Sequence, residues 1–224
     1  NEYKITDRFT ILGGLRYDHN NIHGHILSPR LSFKFSPNSF NTIRLTGGNG
    51  FRVVNLFTED HAALTGAREV IIKQKLKPEE SWNVNLNYSR YINYAFGFIG
   101  LDVSGFYTYF TNKIIGDFEK DPQKIIYDNL NGYAVSQGFS ANLDFTFTNG
   151  LKILAGGTFM DVYFTEKLDD GTIKTQQQWY APRFSGTYQI SYNFPKLNIS
   201  VDYSGRIYGP MRLPIVENDF RPEY

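Results

Sequence analysis

Four histidines are the residues of this 224-residue chain whose chemistry is most active near neutral pH: His19, His23 and His25 within seven positions, and His61 further on. Neutral imidazole binds iron, copper and zinc, so the histidines are candidates for contact with a metal-bearing ligand. Short polar loops also carry histidines that bind nothing, and the spacing calls for no resident metal and no cofactor. Enzymatic constellations do not assemble. The chain has no cysteine, which removes thiolate nucleophiles, thiolate metal sites and a disulfide framework together. It contains no Gly-x-Ser-x-Gly, no Gly-rich phosphate loop and no His-Glu-x-x-His. Glu59-Asp60-His61 sets two acids beside an imidazole, but sequence neighbours on a loop seldom form a catalytic dyad. The chain does not read as an enzyme.

The elements that would position these residues are strands. In "RFSGTYQISYNF", Phe184, Gly186, Tyr188, Ile190, Tyr192 and Phe194 share one face, and Arg183, Ser185, Thr187, Gln189, Ser191 and Asn193 share the other. "LNISVDYSGRIY", "FSANLDFTF" and "SWNVNLNYS" alternate in the same way. Soluble strands average about 5–6 residues, whereas these alternate over roughly 9–13, close to the 9–11 that a tilted strand needs to cross a bilayer. Gly and Asn punctuate the chain throughout, and it reads as about nine strands with no sustained helical period.

Connection lengths alternate as well. Short ones fall at Ser36–Asn41, Asn93–Gly97, Thr148–Gly150 and Pro195–Lys196. Long ones fall at His19–His25, Val53–Pro78, Thr111–Asn131 and Thr165–Gln178, and in the tail from Gly209. Outer-membrane barrels sort their connections this way, with short turns periplasmic and long loops extracellular. The histidines then fall in extracellular loops. Aromatics at 17% suit an outer wall facing lipid. The mean hydropathy of −0.37 does not oppose it, because alternation averages lipid-facing with polar residues. A net charge of +1 gives no reason to expect nucleic acid.

The arginines obey the same alternation. Arg16, Arg30, Arg44, Arg183 and Arg206 fall on the polar parity of their strands, and Arg52 joins them if no bulge intervenes. A charge at mid-bilayer on the lipid face would cost about 2–4 kcal/mol. On the polar face the arginines would line either a hydrated pore or the wall of a lumen packed against a plug. The parity alone leaves both open.

The first 90 or so residues carry four motifs in order. They are "YKITDRFTILGGLRYD" (Tyr3–Asp18), "LSPRLSFKFSPN" (Leu27–Asn38), "IRLTGGNGFRVVNLFTE" (Ile43–Glu59) and "LKPEESWNVNLNYS" (Leu76–Ser89). Together they resemble the barrel strands of TonB-dependent outer-membrane receptors, in the style of Bacteroidetes members. Two positions depart from the pattern: Val54, where the family often has proline, and Asn85, where glutamate is common. Beyond Tyr91 the resemblance is to a generic barrel.

The resemblance implies an all-β, antiparallel transmembrane barrel of about 22 strands. Residues 1–224 would be a partial barrel domain, and the plug and TonB-contacting box would lie N-terminal to it. The implied location is the outer membrane. The implied function is active import of a scarce nutrient with energy delivered by TonB, and ferric siderophore, haem and cobalamin are the leading cargoes. Implied partners are outer-membrane lipid, the protein's own plug, TonB, the nutrient and a surface lipoprotein. A small self-contained barrel enzyme, a passive porin and a soluble β-sandwich lectin are the alternatives.

Overall fold

The computed structural model describes residues 2–54, 69–73, 75–117, 121, 123–168 and 170–213. The first half of the main sheet contains β1 (Glu2–Lys4), β2 (Phe9–Asn20), β3 (Gly24–Asn38) and β4 (Asn41–Arg52). After β5 (Glu69–Ile72) it resumes with β6 (Glu79–Tyr94) and β7 (Gly97–Asn112). Then follow β8 (Ile114–Asp117), β9 (Lys124–Asn129), β10 (Gly132–Phe147) and β11 (Leu151–Lys167). The last strands among the described residues are β12 (Ile173–Gln177), β13 (Phe184–Phe194) and β14 (Ile199–Tyr208).

The main sheet is antiparallel and runs β1-β2-β3-β4-β6-β7-β10-β11-β13-β14, with β12 paired to the far end of β11. Its long strands reach from 10 residues in β14 to 17 in β11. Apart from β1 and β12 it contains nine strands among the described residues, in line with the sequence expectation. A second, three-stranded sheet of β5, β9 and β8 is built within two of the connections expected to be long.

Away from register shifts at Phe35/Asn38 and Glu80/Ser81, cross-strand register carries each parity across the wall. The row Leu31–Gly47–Val84–Tyr107 lies on one face, and Ser32–Thr46–Asn85–Phe106 lies beside it on the other. On the first face large apolar side chains stand open: Leu15 is 71% exposed, Trp82 53%, Val84 51% and Leu86 52%. A protein in water seldom leaves so continuous an apolar surface uncovered. This face fits hydrocarbon.

The loop from His19 to His25 is shorter than the sequence suggested. β2 and β3 pair up to Asn20↔Gly24, so His19 and His25 are strand residues and only Asn21–His23 turn. Asn20 explains the tight reversal: its Oδ1 accepts from the backbone N–H groups of Ile22 at 2.9 Å and His23 at 3.1 Å. Gly24 completes it with a φ of 76°, in the left-handed region that glycine enters without strain. Likewise Thr165–Gln178 is largely a hairpin, since Thr165 pairs with Thr175 and Lys167 with Ile173.

The run "GGNGFR" in β4 has a steric reason. A Cβ on Gly48 would sit 2.9 Å from the Pro29 carbonyl oxygen and 3.3 Å from Arg30 Cα, both backbone atoms of β3. A Cβ on Gly50 would meet only Ser81 Oγ at 3.5 Å, an ordinary contact. Gly48→Ala is therefore expected to destabilise the wall by about 1–3 kcal/mol, as overpacking does, whereas Gly50→Ala stays within about 0.5 kcal/mol. Thermal unfolding midpoints of the two variants in detergent check this: only the first should fall clearly.

Candidate functional site

The polar face is the surface on which solutes or a plug could be handled. Its lower part centres on β3, β4, β6 and β7. Arg30, Lys34 and Arg44 point from this face and are exposed, beside Asn83, Asn85, Asn87, Ser89, Asp102 and Ser104 in a hollow of about 590 Å³. The asparagines recur every second residue of β6, which is why they form one column.

Asp102 is fully engaged: Asn87 Nδ2 donates to its Oδ1 at 2.9 Å and Ser89 Oγ to its Oδ2 at 2.7 Å. Asn87 Nδ2 also reaches Ser104 Oγ at 2.9 Å. The cations are arranged differently. Lys34 and Arg44 are direct cross-strand partners, and like charges held opposite one another destabilise a sheet. The wall thus presents concentrated positive charge beside a neutral amide column.

Towards the loop end the polar parity turns apolar. Phe110, Ala134 and Phe164 form one cross-strand row on it, and Ala134 and Phe164 are buried with Leu130 while Ile115 of β8 packs against them. Ile125 and Tyr127 of β9 form a second small core with Val54, Val70, Leu76 and Ile114. The three-stranded sheet therefore leans on the inner face of the wall. The sequence carries a signal for this contact that strict alternation passes over. In "TFMDVYF" of β11, Met160, Val162 and Phe164 are apolar on the parity opposite to Phe159 and Tyr163. Apolar residues on both parities mean a strand covered on both faces.

Polar groups latch the small sheet in place. Glu79 is 7% exposed, a costly place for a carboxylate without partners. Its Oε2 accepts from Arg52 Nε at 2.9 Å and lies 2.8 Å from the Arg52 NH2 group, and its Oε1 accepts from the Ile114 N–H at 3.1 Å. The β4–β6 register runs without a bulge to Arg52↔Glu79, which puts Arg52 on the polar parity with Arg44. Asn129 adds a reciprocal pair with the Lys77 backbone, at 2.8 and 3.1 Å. Lys113, just beyond β7, donates to Gln178 Oε1 at 2.9 Å and stands over the Phe110 ring. Burial pushes its pKa down, countered by nearby Glu79 and reinforced by Arg52.

The remaining residues singled out from the sequence are dispersed. Arg16 pairs with Asp18 at 2.7 Å near the upper end of β2 and lies over the Phe51 ring. Arg183 precedes β13 beside Gln177, whose amide oxygen, when turned towards it, accepts from its Nε at 2.7 Å. Arg206 is exposed on β14 opposite Thr187. The polar surface brings together Arg30 and Arg44 but not all six arginines.

His19 and His25 lie on the apolar parity with Tyr17 and Leu27, away from the polar surface, and His23 is in the turn. His61 lies outside the described residues. Among the described residues no three His, Cys, Asp or Glu side chains gather as a metal cluster.

The family model described as TonB dependent receptor-like, beta-barrel, matches residues 1–219. The chain belongs to this family. TonB-dependent receptor barrels are outer-membrane proteins, and the apolar face is accordingly the lipid face. Members of the family are transporters rather than enzymes.

Solved structures with the same fold include the FrpB iron transporter from Neisseria meningitidis, at a TM-score of 0.64 and 18% identity, covering 92% of this chain and 31% of that one. A mutant of the ferric enterobactin receptor PfeA from Pseudomonas aeruginosa matches at 0.64 and 18%, with coverages of 95% and 32%. The ferripyoverdine receptor of the Pseudomonas aeruginosa outer membrane, bound to ferripyoverdine, matches at 0.63 and 17%, with 94% and 27%. The chain thus spans about a third of the length of these receptors or less. No curated protein matches it.

The latch makes a paired prediction. Glu79→Ala leaves the Arg52 guanidinium and the Ile114 N–H without the carboxylate, at a cost of about 1–3 kcal/mol, and should speed hydrogen exchange across Ile114–Asp117. Lys113→Met keeps the contact with Phe110 and gives up the bond to Gln178 together with a charge that burial disfavours, so exchange there should change less than in Glu79→Ala. Mass spectrometry of the receptor in detergent reads both.

Proposed function

We propose that this chain supplies wall and outer loops to an outer-membrane receptor that actively imports an iron chelate. A plug and a TonB-contacting segment elsewhere in the full receptor would complete the machinery. A ferric siderophore is the first-choice cargo and haem the second; cobalamin, which the family resemblance also suggests, carries cobalt and lies outside this reading. The observation that carries this reading is the exposed trio Arg30, Lys34 and Arg44. Two of its members face each other across strands, an arrangement that costs stability and is offset when an anion sits between them.

Ferric complexes of catecholate and hydroxycarboxylate chelators are anionic. The asparagine column beside the trio offers neutral donors and acceptors that would hold such a solute without trapping it. Structural relatives named as an iron transporter, a ferric enterobactin receptor and a ferripyoverdine receptor support the choice of iron. In this reading the small sheet on the upper inner wall narrows the route from the loops to the cationic surface.

Uptake of radiolabelled ferric chelates by a strain lacking the receptor, complemented with variants, tests the proposal. The native protein should restore uptake only when TonB is functional. Exchanging Lys34 and Arg44 for serine together should lower uptake of an anionic ferric catecholate about 10-fold, an expected loss of roughly 1.4 kcal/mol. A neutral ferric hydroxamate should be affected much less. Uptake that persists without TonB would instead mean a passive porin.

A further inference from the structure

We propose that His19 and His25, with Tyr17 beside them, form a surface binding site for a tetrahedral divalent metal ion of the zinc class. The two histidines are direct cross-strand partners at the top of the β2–β3 hairpin. Their Nδ1 atoms face each other at 3.4 Å, with ring centroids 4.8 Å apart. Two nitrogens bound to one tetrahedral ion at about 2.0–2.1 Å stand about 3.3–3.4 Å apart, so the imidazoles are already at the separation that such an ion imposes. A square-planar ion would need them nearer, at about 2.9 Å.

Tyr17 stands against the same point and must turn its hydroxyl away from His25 when an ion enters. Tyr17 lies two residues before His19 on the same face, its ring stacks on His25 at a centroid distance of 5.7 Å, and its hydroxyl is in hydrogen-bond contact with His25 Nδ1. The two imidazoles leave two positions of a tetrahedron for water. All three side chains are exposed, so an ion can enter without displacing packed residues.

The hairpin also holds the donors still. His19 and His25 are strand residues separated from a three-residue turn by one further ladder pair, Asn20↔Gly24, and the Asn20 side chain ties that turn down. Ligands on paired strands keep their spacing better than ligands on a loop. The site is on the lipid-side parity, above Leu15 and Leu27, and so lies outside the surface assigned to cargo. Its metal is therefore held at the outer rim and is independent of the transported iron.

Isothermal titration of the full-length receptor in detergent micelles with zinc chloride, in a non-chelating buffer, tests this. The native receptor should bind one equivalent more zinc, at micromolar affinity, than the His19→Gln/His25→Gln variant. Each single glutamine variant should weaken that equivalent at least 10-fold, whereas His23→Gln should leave it unchanged. Tyr17→His, which supplies a third imidazole, should tighten it at least 10-fold and give a tetrahedral visible spectrum with cobalt(II). If native and double-variant receptors bind the same number of zinc ions with the same affinities, or if Tyr17→His gains nothing, the site is overturned.

Discussion

A strand that crosses lipid must give every backbone N–H and C=O a partner on a neighbouring strand, because hydrocarbon offers none. That requirement fixes the register of each pair, and the register carries side-chain parity unchanged from one strand to the next. Once Leu31 is on the lipid side, so are Gly47, Val84 and Tyr107, and their neighbours face inward. That parity decides which side chains can meet a solute. The cations Arg30, Lys34 and Arg44 share a surface because they are on the inward parity of adjacent strands, and His19 and His25 are excluded from it because they are not.

The inward surface has two regimes, and burial separates them. Lower on the wall it is polar: an amide column, a satisfied aspartate and the cations Arg30, Lys34 and Arg44. Higher up, the three-stranded sheet covers it, and the same parity switches to Phe110, Ala134 and Phe164. Burying a side chain such as Phe164 contributes about 1.5–3 kcal/mol, which helps offset the entropy of ordering long connections. Glu79 is the polar counterpart of that core, since it binds both the wall through Arg52 and the small sheet through Ile114. The wall and part of its loops are thus one folded unit.

Much of this was legible in the sequence because period-two alternation is a local signal. The parity of Phe184–Phe194 and Leu197–Ile207, the family motifs and the short turns all read directly. Other features depended on distant partners. The stretch His19–His25 looked like a polar loop, and only the Asn20 side chain and the left-handed Gly24 reveal a tight hairpin. Phe164 broke the alternation for a reason supplied by Ile115 of β8, more than 40 residues away. Thr111–Asn131 showed no strand period long enough to read, yet it builds β8 and β9, because a parallel pairing with β5 has no local signature. The role of Glu79 depended on finding Arg52 across the sheet.

Alternate residues of these strands meet two different solvents. The segment itself contains no cysteine, so single cysteines can be placed along β6 from Trp82 to Ser89 in the receptor in native outer membranes and tested with a water-soluble and a lipid-soluble thiol reagent. Cysteines at Trp82, Val84, Leu86 and Tyr88 should react with the lipid-soluble reagent and resist the other, and those at Asn83, Asn85, Asn87 and Ser89 should lose that preference. Equal labelling of both parities by the water-soluble reagent would contradict the account, because the apolar face would then be facing water.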